Sequence, residues 1–238
     1  MKLSILQCFA FCLCVFIGSA QTLHAYKDHE IWWEECLDQT VSMDTFRNWV
    51  GGSNASSRIA VREHIRNMGY TSILDVACGV CADYYGFQQD DIRIAYQGID
   101  ITPKLVALSA ANNIPVIQGS IEAIPFADGQ YDVCYARHIL EHLDNYEQAL
   151  FELIRVASKE VLVVFFLNPI SNNSEINLGY SGGSILYHNR YDKHAIEQLL
   201  VKHPKVAKVE WIEVNSESIL HVYLKKTETP WDGIVFCF

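Results

Sequence analysis

The chain has 238 residues, half of them apolar, with 28 acidic against 18 basic side chains and a formal net charge of -10. That length can bury one sizeable core and favours a single catalytic domain, while the acidic balance excludes the dense cationic face that binding to a phosphate backbone needs, so nucleic acid is not an expected partner. With the leader set aside, Cys36, Cys78, Cys81, Cys134 and Cys237 remain, an odd number without framework spacing, which excludes a small fold built on disulfides.

Lys2 precedes a mostly apolar run from Leu3 to Ile17, followed by the small residues Gly18, Ser19 and Ala20. Residues 1–20 therefore read as a cleaved secretory signal peptide, which predicts a secretory or exported protein. A retained anchor is the competing reading, and only then would a membrane be a partner. Residues 21–57 read as a helical extension: short helices at 30–37 and 44–50 carry Trp32, Trp33, Phe46 and Trp49, a candidate lid, before Gly51, Gly52, Ser53 and Asn54 break the chain.

The main domain spans 58–226, leaving 227–238 as a tail. Residues 58–68 place Ile59, Val61, Ile65 and Met68 at helical spacing, ended by Gly69. Strand-like apolar runs follow at 72–76, 92–99, 115–118, 131–136 and 161–166, with helical patterns at 103–112 and 145–157. That alternation predicts an α/β fold with a mostly parallel sheet covered on both faces. Residues 193–201 predict a helix, and the runs 207–214 and 218–224, separated only by Asn215, Ser216 and Glu217, predict an antiparallel pair. Only 168–187 is long and unpatterned, a length usually found in functional or disordered loops.

Chemistry concentrates at the predicted strand ends. The segment Ser72-Ile73-Leu74-Asp75-Val76-Ala77-Cys78-Gly79-Val80-Cys81 puts a carboxylate near the end of the first strand and small residues in its turn, so that a ligand can approach backbone closely. About 20 residues on, Gly98-Ile99-Asp100-Ile101 ends the second strand, where nucleotide-binding α/β folds place a carboxylate for the ribose hydroxyls. Gln118-Gly119-Ser120-Ile121-Glu122-Ala123-Ile124-Pro125-Phe126 follows the third strand, and Tyr131 to His138 forms the fourth and its exit.

In this ordered set, residues 59–167 resemble the class I S-adenosylmethionine-dependent methyltransferases that act on small molecules: a DVACG-type turn, a GxDI-type strand end, a GSxExxPF-type segment and a YDxxxxRHxLEHL-type segment. The resemblance implies a Rossmann-like seven-stranded sheet with an antiparallel last strand and helices on both faces. It implies S-adenosylmethionine as cofactor, with Asp75, Ala77 and Gly79 along its methionine part, Asp100 on its ribose and Ile101 against its adenine. Ser120 and Ile121 would meet the adenine edge, and the Arg137 backbone would help hold the cofactor amine. Two positions depart from the family pattern: Cys81 stands in place of the last turn glycine, and Ser120 in place of the adenine-contacting acid. The acceptor, expected to be a small molecule, has no diagnostic motif. If its attacking group is a hydroxyl or an ammonium a base is needed, and His138, Tyr187 and His188 flank the expected pocket mouth.

Two rival patterns lie within the same region. Cys78-Gly79-Val80-Cys81 is a CxxC of the kind used by thiol-disulfide oxidoreductases, but such a fold has no need of Asp100 or of residues 119–126. His138-Ile139-Leu140-Glu141-His142 spells the HxxEH of a zinc-protease family, yet a third ligand and a committed long helix are missing, so no metal is expected. A cofactor-binding module without turnover is the non-enzymatic alternative.

Overall fold

The computed structural model describes residues 52–181 and 184–226. The expected leader, the two short helices with their aromatic residues and the 227–238 tail lie outside those residues.

Helix α1 (Ser56–Met68) starts two residues before the periodicity suggests. It stops at Gly69, whose left-handed backbone (φ 65°) lets its N–H reach the carbonyls of Ile65 and Arg66. Strand β1 (Ser72–Val76), helix α2 (Ala82–Gln89) and strand β2 (Ala95–Asp100) follow, then helix α3 (Pro103–Ala111), whose proline opens its first turn. Next come strands β3 (Val116–Gln118) and β4 (Tyr131–Arg137), a short 3-10 helix (Leu140–His142), helix α4 (Tyr146–Val156) and strand β5 (Ala157–Phe165). A hairpin, β6 (Leu178–Ser181) with β7 (Ser184–Tyr187), precedes helix α5 (Lys193–Lys202) and the closing strands β8 (Val206–Val214) and β9 (Glu217–Leu224).

Seven strands form one sheet in the order β3-β2-β1-β4-β5-β9-β8. The first five are mutually parallel; β9 runs antiparallel to both β5 and β8. The expected Rossmann-like sheet with its antiparallel close is therefore present. Neighbouring residues of one strand enter different cores, as the two-residue period of a strand requires. Ile73, Val133, Leu162 and Ile219 pack with Val61 and Ile65 of α1 and Phe87 of α2, whereas Leu74, Cys134, Val163 and Leu220 pack with Leu150 and Leu153 of α4 and Ile196 of α5. With both faces covered, the sheet offers ligands its strand ends.

Three local features go beyond or differ from the sequence reading. Helix α2 was not visible as a pattern, because Gly86 and two glutamines interrupt it; a Cβ on Gly86 would lie 2.5 Å from the Arg62 guanidinium, so the glycine lets α1 and α2 approach. Strand β5 begins at Ala157 rather than at 161, since the polar Ser158-Lys159-Glu160 is drawn into pairing with β4 across an irregular register. The stretch 168–187 holds the β6–β7 hairpin, paired through Leu178–Tyr187 and Ser181–Ser184.

Candidate active site

The chain passes from β1 to β2 and β3 on one side and returns through β4 on the other, so the turn after β1 lies at the switch point of strand order. Register aligns the exits: Val76 pairs with Ile99 and Ala136, Asp100 with Gln118, and Arg137 with Val164. Residues widely separated in sequence thereby meet along one edge.

The β1 turn alternates its backbone hand. Ala77, Gly79 and Cys81 all have positive φ (58°, 55° and 55°), conformations that cost a residue with a side chain on the order of 1–2 kcal/mol. A Cβ on Gly79 would meet nothing within 4 Å, so the space beside this turn is open. At Gly98 the reverse holds: a Cβ there would come 2.8 Å from Cys78 Sγ and 3.0 Å from Val116 Cγ2, so glycine lets the turn settle onto β2. The Cys78 N–H donates to Ile99 O at 3.0 Å and fixes that contact.

Asp100 is the pivot. Its Oδ2 accepts the Gly79 N–H at 2.8 Å and its Oδ1 accepts the Thr102 N–H at 2.9 Å. Burial raises its pKa while those N–H groups favour the ionised form. Asp75, one turn away, accepts the Tyr96 hydroxyl at 2.7 Å; burial pushes its pKa up to about 6, against the pull of Tyr96 and Arg58. Ile101 follows Asp100 directly, and the Gly119 N–H donates to Asp100 O at 3.0 Å, bringing the Ser120 turn alongside. Ser120 Oγ accepts the Glu122 N–H, and the Ile121 side chain packs into the core beside Val76 and Leu140.

Arg137 ends β4 and sends its side chain across the sheet. Its guanidinium donates to Glu217 Oε1 at 2.7 Å and Ser57 Oγ at 3.4 Å, and lies 3.1 Å from His138 Nδ1. His138, at φ 57°, places Nε2 2.6 Å from the same Glu217 oxygen, off the line of a good hydrogen bond. Burial resists ionisation of Glu217, yet His138, Ser57 and Arg137 together hold its pKa down to about 2. Burial lowers His138 to about 4, so it is a neutral imidazole with both nitrogens facing protein partners.

Beyond this knot, Phe166 gathers three imidazoles. His138, His142 and His188 lie with ring centroids 5.1, 5.3 and 6.2 Å from it, and His142 meets His188 edge-on at 5.2 Å. The Tyr187 carbonyl accepts from His142 Nδ1 at 2.7 Å, so the end of the β6–β7 hairpin is pinned to the 3-10 helix. Burial lowers the His188 pKa, and among the described residues no hydrogen bond to its ring is found. The HxxEH segment does not form the continuous helix that a zinc protease needs: His138 takes a left-handed turn and only Leu140–His142 is helical, as a 3-10 turn.

The comparisons with known proteins point one way. Residues 74–165 match the methyltransferase domain family. Ajmaline N-methyltransferase from Rauvolfia serpentina is 27% identical over 100 residues, covering 39% of this chain and 34% of that protein. The solved 1,6-didemethyltoxoflavin-N1-methyltransferase of Burkholderia thailandensis, with bound S-adenosylhomocysteine, superposes with a TM-score of 0.58 at 12% identity over 88% of this chain and 94% of that one. The aminopentose methyltransferase CalS10 of Micromonospora echinaspora, with S-adenosylmethionine bound, gives 0.58 at 12% identity over 76% and 96%. Residues 74–165 thus resemble a methyltransferase domain, and the fold is the one these S-adenosylmethionine-binding structures share. The chain spans a third to a half of the length of the curated relatives it matches.

In this chain the turn and Asp100 suit S-adenosylmethionine: an open stretch of backbone lies beside a carboxylate already oriented by backbone N–H groups. Cys81, which departs from the family's glycine, adopts the glycine-like φ and buries its thiol against Cys78 Sγ (3.7 Å) and Ser109 Oγ (3.4 Å). Its side chain fills core space and leaves the open flank alone. Two residues escaped the sequence reading. Arg58, buried on α1, ion-pairs with Asp83 of α2 and feels Asp75 and Arg137 electrostatically, yet its Nε lacks a partner. Glu141 accepts the Phe166 and Leu167 N–H groups at 2.7 and 3.3 Å through Oε1, leaves Oε2 unpartnered, and is pushed up to about 8 by burial. The HxxEH pattern carried a signal for Glu141; nothing local marks Arg58.

Proposed function

We propose that the protein transfers the methyl group of S-adenosylmethionine to a small-molecule acceptor held against the ring cluster of His142, Phe166 and His188. Asp100 carries the reading: a buried carboxylate at the switch point, aimed by Gly79 and Thr102 and facing an open turn. When bound, the cofactor supplies a methyl group on a sulfonium, open to in-line attack.

The chain's residues supply position and proton handling. Asp100 accepts the ribose hydroxyls, Ile101 covers the adenine, and Ser120 and Ile121 border its edge. The exposed backbone of Ala77 and Gly79 receives the methionine part, with Asp75, the Arg137 backbone and the buried Arg58 charge behind it. Alignment of donor and acceptor then provides most of the acceleration. For a hydroxyl or ammonium acceptor, His188 takes the proton, because burial favours its neutral form and among the described residues no hydrogen bond ties up its ring nitrogens. His138 is the weaker candidate, with both nitrogens turned to Glu217 and Arg137. Tyr187 contributes its carbonyl to His142 and shapes the mouth.

A thiol-disulfide role for Cys78 and Cys81 fits poorly. A redox nucleophile must be reachable, and these thiols are buried at 8% and 0% exposure.

The test has two stages. Calorimetry of the full chain with S-adenosylmethionine should show one site, weakened in Asp100→Ala; equal binding by the variant refutes the cofactor assignment. Mass spectrometry of a panel of small amines, phenols and alcohols should then reveal a methylated product. Binding without transfer to any of them supports the non-catalytic module instead.

A further inference from the structure

On the α1 face, at the opposite end of β5 from the cofactor edge, lies a second cluster. Glu160 of β5 is fully buried, roughly 16 Å along the strand from Phe165. Its Oε2 is 2.8 Å from His64 Nε2 of α1 and accepts the Tyr70 hydroxyl at 2.7 Å; its Oε1 is 2.8 Å from His221 Nδ1 of β9. The two imidazoles stand edge-to-face with centroids 4.6 Å apart, and one ligand atom from each of the three side chains falls within a 4.8 Å span. The methyl-transfer site uses none of these groups.

We propose that His64, Glu160 and His221 form a binding site for one zinc-class divalent cation, which clips α1 to β5 and β9. Two imidazole nitrogens and a carboxylate oxygen are a known zinc donor set, with bonds of about 2.0–2.2 Å that hold tetrahedral donors about 3.3–3.5 Å apart. To reach that spacing the two 2.8 Å contacts, one to each Glu160 oxygen, open by about half an ångström, while donors spanning up to 4.8 Å draw closer together around the ion. Three chain segments far apart in sequence present donors to one point, so most of the ordering cost is met by the fold itself. A cation there offsets a carboxylate charge that is otherwise buried among hydrogen-bond donors. His64, with 20% of its side chain exposed, gives the entry route, and the Tyr70 hydroxyl steadies the Glu160 carboxylate. Imidazole nitrogens that now face Glu160 must present lone pairs to the cation, so uptake moves or releases their protons.

The full chain, freed of metal by chelation, is titrated with zinc chloride by calorimetry and with cobalt chloride by absorption. One ion per chain is expected, with tetrahedral cobalt bands free of thiolate charge transfer and a rise in Tm on zinc addition. His64→Asn, at the most exposed ligand, should weaken zinc by more than about 100-fold, and Glu160→Gln, a near-isostere, should abolish uptake. Absence of stoichiometric uptake by the unaltered chain overturns the proposal without recourse to any variant. So does undiminished affinity in His64→Asn, or thiolate charge transfer, which would move the ion to Cys78 and Cys81.

Discussion

Asp100 accepts two backbone N–H groups with both carboxylate oxygens, so its removal loosens the turn that presents Gly79 and, on the proposed reading, takes away the ribose contact. Asp100→Ala should weaken S-adenosylmethionine by about 10- to 100-fold, the range for losing hydrogen bonds to a charged acceptor, as read by calorimetry. His188→Ala should leave cofactor affinity intact and lower kcat by about 100- to 10,000-fold for an acceptor that must lose a proton; an unchanged kcat with such an acceptor removes His188 from the chemistry. Glu141 gives the molecule a pH signature. Burial raises its folded-state pKa to about 8 from an ordinary value of 4.5, so the folded form holds a proton that the unfolded chain has released. The resulting stability is complete below about pH 4.5 and is lost as pH rises through 8. Urea denaturation between about pH 5 and pH 8 should show falling stability, and Glu141→Gln should flatten that fall. Asp100 was legible because its signal is local, a carboxylate at a strand end at a set distance from a small-residue turn. Arg58 and Glu217 were not, since each acts on a strand end from a segment remote in sequence.

At the scale of elements, caps and pairings decide more than periodicity. Helix α5 begins where the Asp192 side chain accepts the His194 and Ala195 N–H groups, which satisfies donors the helix cannot satisfy itself. Asp192→Ala should cost about 1 kcal/mol of stability in urea denaturation, with the fold otherwise retained. The α1, β1, β4 and α4 patterns were readable because each alternates or repeats apolar residues over a full buried face. Helix α2 lacks such a repeat and exists because Gly86 admits Arg62. The β6–β7 hairpin was hidden for a related reason: its partners are each other and, through Tyr187, the 3-10 helix. A stretch without a wide apolar face leaves little trace in periodicity.

For the whole molecule, cofactor binding and stability are linked, because a ligand of the folded state alone stabilises by mass action. S-adenosylhomocysteine at about 100 times its Kd should add about 2.7 kcal/mol, seen as a rise in Tm that Asp100→Ala diminishes at the same ligand concentration. We propose further that residues 1–20 direct export and are removed; intact mass of the secreted chain should then correspond to a start at Gln21, and retention of Met1 to Ala20 defeats that proposal. The sequence by itself determined the α/β class, the parallel core with its antiparallel close and the small-residue turn that Asp100 faces from the next strand end, because strand periodicity and turn chemistry are written in contiguous residues. Only the tertiary structure decided how the turn is held, which imidazoles are hydrogen-bonded to protein groups, and that His64, Glu160 and His221 converge. Those are contacts between residues as far apart as 64 and 221, and chain spacing carries no record of which distant side chains the sheet order will bring within bonding distance.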